Sequence, residues 1–158
     1  MIESDSLKLY LVRHAKAKKD YENPARPLSE KGVKDAEKLA KFLKEHSITP
    51  SVIIHSGILR AKETAEIINK SLSIELAVDK TLGPSFDPFV YADRLKSEIK
   101  EDTMMVGHMP YLANLVCLML TGTPNSFLIE FKTCSVVCLE RKGLDDWYLD
   151  WMITPKLL

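Results

Sequence analysis

Neither sign of charge is in excess in this sequence: 22 Lys and Arg stand against 22 Asp and Glu over 158 residues, a formal net charge of zero. Nucleic-acid binders ordinarily carry a strong basic excess, so a chain organised mainly around a polyanion is excluded, although a local basic patch is not. Long apolar runs are missing too. The longest mostly apolar stretch, Tyr111 to Leu120, contains Asn114, falls well short of the roughly 20 residues that cross a bilayer, and reads as a buried helix. The start, Met1-Ile2-Glu3-Ser4-Asp5-Ser6, lacks the basic end and apolar core of a secretory signal. The expectation is a cytoplasmic protein with no membrane partner. Cysteine is scarce, with only Cys117, Cys134 and Cys138. In a β-like run four residues span about 13 Å, too far for a disulfide between the last two. All three read as small buried hydrophobes of a reducing compartment. No His or second Cys pair accompanies Cys134 and Cys138, so no zinc site is expected there, and the expectation for the chain as a whole is no metal and no cofactor.

The sequence is 46% hydrophobic and 28% charged, the profile of one soluble globular domain spanning 1–158. A chain of this size buries roughly two-thirds of its unfolded surface, enough for a core without staples. Repeats, linkers and low-complexity segments are absent.

Leu7 to Val12 reads as a strand buried on both faces, ending at Arg13-His14, and Ala15 to Pro27 as a loop. Ser29 can cap a helix, with Glu30 in its first turn and Val33, Ala36, Ala40 and Leu43 at helical spacing, ending near Ser47. A strand over Val52 to Ile54 follows, with a helix opening at Ser56-Gly57 and burying Leu59, Ala65, Ile68 and Leu72. Ile74 to Val78 is a further short strand. An irregular stretch with Gly83, Pro84 and Pro88, a candidate lid, precedes a charged helix from about Phe89 to Lys100. Met104 to Val106 then forms a strand that breaks at Gly107-His108 and leads into the helix of Leu112, Leu115, Val116 and Met119. Ser135 to Leu139 and Trp147 to Ile153 form a hairpin, with Trp147 and Trp151 on one core face. Alternating strands and helices predict a three-layer α/β/α sandwich, mostly parallel, with an antiparallel C-terminal edge.

Arg13-His14, His108 and Arg60 all follow strands at the carboxyl side, where ligands gather in open α/β sheets. Two imidazoles and at least two guanidinium groups in one cleft make a site poor in acceptors and suited to a phosphoryl group. The helix N-terminus after Ser56-Gly57 adds free N–H groups.

Leu11-Val12-Arg13-His14-Ala15 resembles the signature of the histidine phosphatase superfamily, whose fold is phosphoglycerate mutase-like. Ser56-Gly57-Ile58-Leu59-Arg60-Ala61-Lys62-Glu63-Thr64 resembles its second motif, and Val106-Gly107-His108-Met109-Pro110 its third. Arg26-Pro27-Leu28-Ser29 and Trp151-Met152-Ile153-Thr154-Pro155 resemble the small SixA-type branch, the phosphohistidine phosphatases. The resemblance implies that His14 is the nucleophile, that Arg13 and Arg60 hold the phosphate, that Arg26 is a further phosphate contact, and that His108 stabilises the transferring group. It further implies a metal-independent phosphatase acting on a phosphorylated partner protein, or alternatively on a small phosphorylated metabolite. Many members carry a Glu proton donor where Thr81 stands, leaving Asp20, Glu22, Asp79 and Asp87 as candidate acids and a catalytically weak phosphate-binding module as a third reading. Gly57 replaces a common Pro, an effect expected on turn stiffness. His55 reads as a rim or core residue and His46 as a helix-terminal one. Lys16, Lys18 and Lys19 read as a solvated loop able to steer an acidic partner.

Overall fold

The computed structural model describes residues 6–158; the polar start at residues 1–5, read above for its lack of a secretory signal, lies outside them. Six strands and four α-helices alternate through most of the chain. They are β1 (Leu7–Arg13), α1 (Glu30–Glu45), β2 (Val52–His55), α2 (Leu59–Leu72), β3 (Glu75–Val78), α3 (Pro88–Ser97), β4 (Thr103–Gly107), α4 (Tyr111–Thr121), β5 (Val136–Lys142) and β6 (Asp146–Ile153). The strands form one sheet in the order β3-β2-β4-β1-β5-β6. β1, β2, β3 and β4 run parallel, and β5 and β6 add an antiparallel edge.

Strict alternation along β1 sends its side chains to two cores. Leu7, Leu9 and Leu11 pack with Tyr91 and Leu95 of α3 and Leu112 and Leu115 of α4, whereas Tyr10 and Val12 pack with Leu39 and Leu43 of α1 and Ala65 and Ile68 of α2. Helices therefore cover both faces, the sandwich expected, and each fully buried aliphatic side chain contributes about 1.5–3 kcal/mol. Among the described residues no helix is long and apolar enough to cross a membrane. All three cysteines are buried and free.

Two expectations need correction. Trp147 and Trp151 do not share a face: Trp147 joins the α3/α4 core, and Trp151 packs against the α1/α2 core. Cys138 pairs with Trp151 and Leu139 with Leu149, so Asp150 is an extra residue in β6, and this bulge reverses the in-out alternation. The second helix opens at Leu59, not at Ser56-Gly57. Gly57 has φ +86°, a left-handed turn residue that cannot begin a helix and that the ring of a proline could not adopt.

The start of α1 ties down the loop after β1. The Ser29 hydroxyl accepts from the Gly32 N–H at 3.1 Å as N-cap and donates to the Lys16 carbonyl at 3.1 Å, which also accepts the Ser29 N–H at 2.9 Å. Gly32 lets this happen, because any Cβ there would overlap the Lys16 carbonyl oxygen.

Candidate active site

The registers of three neighbouring parallel strands assemble the site. Arg13 pairs with Gly107 across β1 and β4, and His55 with Val106 across β2 and β4. The next residues along these strands are His14, His108 and Ser56, which therefore emerge side by side at the carboxyl edge. The His14 N–H donates to the Gly107 carbonyl at 3.0 Å, and the two imidazole centroids lie 5.2 Å apart.

His14 is only 7% exposed. Its Nδ1 lies 2.7 Å from the Ala15 carbonyl, an acceptor, so the proton sits on Nδ1 and Nε2 carries the lone pair. Burial is the main cause that lowers its pKa to about 4; the Ala15 bond opposes this, and the charges of Arg60, Arg13 and Arg26 add to it. His108, 1% exposed, is lowered to about 3, again chiefly by burial, with His14, Arg60 and Arg13 adding. Both rings are neutral near pH 7. The Nε2 of His108 is 2.7 Å from the Ser56 hydroxyl, and its Nδ1 is buried with no partner.

Arg13 is fixed from one side, its Nη1 donating to the Phe131 carbonyl at 2.6 Å, while its Nε is a buried nitrogen without a partner. Arg60 sits in the first turn of α2, and its Nε is likewise buried and unpartnered. Burial lowers the pKa of both guanidinium groups. Among the described residues no carboxylate forms an ion pair with Arg13, Arg26 or Arg60. Arg26 occupies the rim with φ +49°, its Nε donating to the Lys18 carbonyl at 3.0 Å. The structure thus brings His14, His108, Arg13 and Arg60 together, with Arg26 close enough to act on His14 and Arg60.

Other sequence candidates fall outside this cluster. The His55 ring accepts the Gly57 N–H at 3.0 Å, a structural turn contact, and the His46 ring lies against Phe42 at the end of α1. Each candidate acid is engaged locally: Asp20 and Glu22 accept N–H groups of Tyr21 and Lys19, and Asp87 caps α3 through the Phe89 N–H. Asp79 accepts the Thr81 hydroxyl at 2.5 Å and Arg94 at 2.7 Å. These partners outweigh its burial and hold its carboxyl below the usual range, ionised rather than poised to donate a proton. Lys16, Lys18 and Lys19 are exposed.

Three supporting groups carried no role in the sequence reading. Thr64 accepts the Ala15 N–H at 2.9 Å and donates to the Arg60 carbonyl at 2.7 Å, linking the loop after His14 to α2. Its place in the second motif was the available signal, as it was for Ser56. The Phe131 carbonyl had none. The donor set of two imidazoles and three guanidinium groups attracts anions, and among the described residues no group of three His, Cys, Asp or Glu side chains could hold a metal ion.

The model of the histidine phosphatase superfamily (branch 1) matches residues 9–83. An uncharacterised chloroplastic protein of Arabidopsis thaliana is 24% identical over 177 residues, covering 96% of this chain and 79% of that one. Phosphohistidine phosphatase SixA of Escherichia coli K12 is 24% identical over 156 residues, 94% of each chain. The structure of the protein histidine phosphatase SixA complexed with tungstate superposes with a TM-score of 0.81 at 22% identity, over 95% of this chain and 98% of that one. The architecture is the phosphoglycerate mutase-like one expected from the motifs.

Proposed function

We propose that the chain is a member of the histidine phosphatase superfamily, whose model matches residues 9–83, and that it is a phosphatase using His14 to hydrolyse phosphohistidine carried by a partner protein. One observation carries the assignment of roles. Three buried nitrogens, Arg13 Nε, Arg60 Nε and His108 Nδ1, lack partners beside a neutral imidazole whose Nε2 lone pair is free. Buried donors left unpaired are costly, and an oxyanion satisfies them together.

In this reading the His14 Nε2 attacks phosphorus in line with the substrate nitrogen, the old P–N bond breaks, and its electron pair leaves on the substrate imidazole. The equatorial oxygens are held by Arg13, Arg60 and His108, with Arg26 at the rim, preorganised charge of the kind that dominates such reactions. Water then adds to the phosphorus of phospho-His14, releasing phosphate and restoring the neutral ring. The leaving imidazole is basic enough to carry a proton before departure, so the local engagement of Asp20, Glu22, Asp79 and Asp87 matters less here than it would for an alkyl ester. Between the turn at Lys80–Leu82 and α3 only residues 83–87 intervene, too few for a cap domain, which favours a protein-borne phosphoryl group.

A second reading, hydrolysis of a small phosphorylated metabolite, draws support from a surface pocket of about 410 Å³ bounded by Ile58, Lys80, Phe86 and Ser56, the residue whose hydroxyl meets His108. A panel of phosphohistidine protein, phosphoamino acids and sugar phosphates separates the two. Preference for phosphohistidine protein is expected. A metabolite turned over with kcat/KM near or above about 10⁵ M⁻¹s⁻¹, within the ordinary enzyme range, while phosphohistidine is ignored, overturns the first reading. Absence of turnover on every substrate would leave only a phosphate-binding module.

A further inference from the structure

The Ser56 hydroxyl and His108 form a buried pair whose protons can be followed atom by atom. Ser56 is 3% exposed, its Oγ lies 2.7 Å from His108 Nε2, and it accepts the Ile58 N–H at 3.3 Å. Two arrangements fit that distance. If His108 Nε2 carried the proton, the Ser56 oxygen would accept twice, and its own hydrogen would have no other acceptor among the described residues. The bare Nδ1 would then be a buried lone pair in a site built for anions. If Ser56 donates to Nε2, the hydroxyl is satisfied in both roles and the His108 proton is placed on Nδ1. That nitrogen is the buried one without a partner.

We propose that Ser56 is a positioning residue that locks His108 as the Nδ1–H tautomer, making His108 a hydrogen-bond donor to the oxyanion instead of an acceptor. The inference rests on the reading that an oxyanion occupies the space among His14, His108, Arg13 and Arg60. It explains how a ring that stays neutral still stabilises negative charge: a neutral imidazole contributes only where its single N–H points. Among the described residues no other group bonds the His108 ring nitrogens and so selects that tautomer, and a free imidazole side chain prefers the proton on Nε2. The serine also fits its location. It is the first residue after β2, and the pairing of His55 with Val106 brings it level with the strand that delivers His108.

The test compares wild type with Ser56→Ala and Ser56→Thr, reading the His108 tautomer in the free protein from imidazole ¹⁵N shifts, and vanadate affinity and phosphohistidine hydrolysis alongside it. In wild type, His108 is expected as Nδ1–H. Ser56→Ala is expected to move the proton to Nε2, to weaken vanadate binding, and to lower kcat by about 10²–10³, the cost of losing one oxyanion donor. Ser56→Thr, which keeps the hydroxyl, is expected to restore the tautomer and most of kcat. A merely structural serine, needed only to hold the Ile58 N–H, would not move the tautomer. Wild-type His108 found as Nε2–H, or a Ser56→Ala protein with unchanged tautomer and vanadate affinity, overturns the proposal. The tautomer arm needs no turnover, so failure of all hydrolysis and vanadate binding would instead remove the phosphoryl-transfer reading, and the ¹⁵N shifts would still decide what Ser56 does.

Discussion

Acidification tests the desolvated state of His14. In the unfolded chain histidine titrates near its ordinary value of 6.5, whereas in the fold burial, reinforced by Arg60, Arg13 and Arg26, brings His14 to about 4. Between those values the unfolded chain holds a proton that the native ring refuses, so stability rises with pH in this window. The contribution is fully present above pH 6.5 and disappears as pH falls through about 4. At about 1.36 kcal/mol per pH unit this amounts to about 3 kcal/mol, a large part of the roughly 5–15 kcal/mol that holds a domain together. Urea unfolding from pH 7 to pH 4 at fixed ionic strength measures it, with His14→Gln as the control in which the other titrating groups remain. Wild type is expected to lose about 3 kcal/mol more than His14→Gln over that interval, moving its midpoint by about 1–2 M more at an ordinary urea slope. Parallel curves for the two proteins would refute a buried, neutral His14.

Replacing Gly32 with Ala drives a Cβ into the Lys16 carbonyl oxygen; overpacking of this kind costs about 1–3 kcal/mol, and a Tm lower by several degrees is expected in calorimetry, with an unchanged Tm against it. Arg60→Ala removes a charge-assisted contact of about 1.5–3 kcal/mol, so kcat/KM and vanadate affinity are both expected to fall about 10- to 100-fold, and loss of neither would displace Arg60 from the oxyanion. Asp20→Asn, Glu22→Gln and Asp87→Asn are each expected to slow phosphohistidine cleavage only modestly; a loss of about 10²–10⁴ in any one would identify it as the general acid.

Much of the site was legible because it rides on strong local signals. The apolar run of β1, broken only by Lys8, ends at Arg13-His14, and the run of β4 ends at Gly107-His108, so topology alone places both histidines at one edge. Ser29 marked the start of α1 through a capping preference that acts over three residues. What escaped depends on conformation or on distant chain. The left-handed Gly57 delays α2 to Leu59, and glycine identity does not reveal the sign of φ. The bulge at Asp150 in β6 puts the two tryptophans on opposite faces, whereas the eight residues read as a regular strand would place Trp147 and Trp151 on one face. The Phe131 carbonyl reaches Arg13 across 118 positions, and a backbone acceptor leaves no trace in residue type.

A His14 nucleophile must carry the phosphoryl group covalently between the two steps of the reaction. Rapid acid-free quenching of the protein with a ³²P-labelled phosphohistidine substrate, followed by peptide mapping, tests it most directly. Acid-labile, alkali-stable label on His14 is predicted in wild type, with none in His14→Ala, which should still bind vanadate through Arg13 and Arg60. Label on another residue, or a His14→Ala protein turning over near the wild-type rate, would contradict the nucleophile and the mechanism built on it.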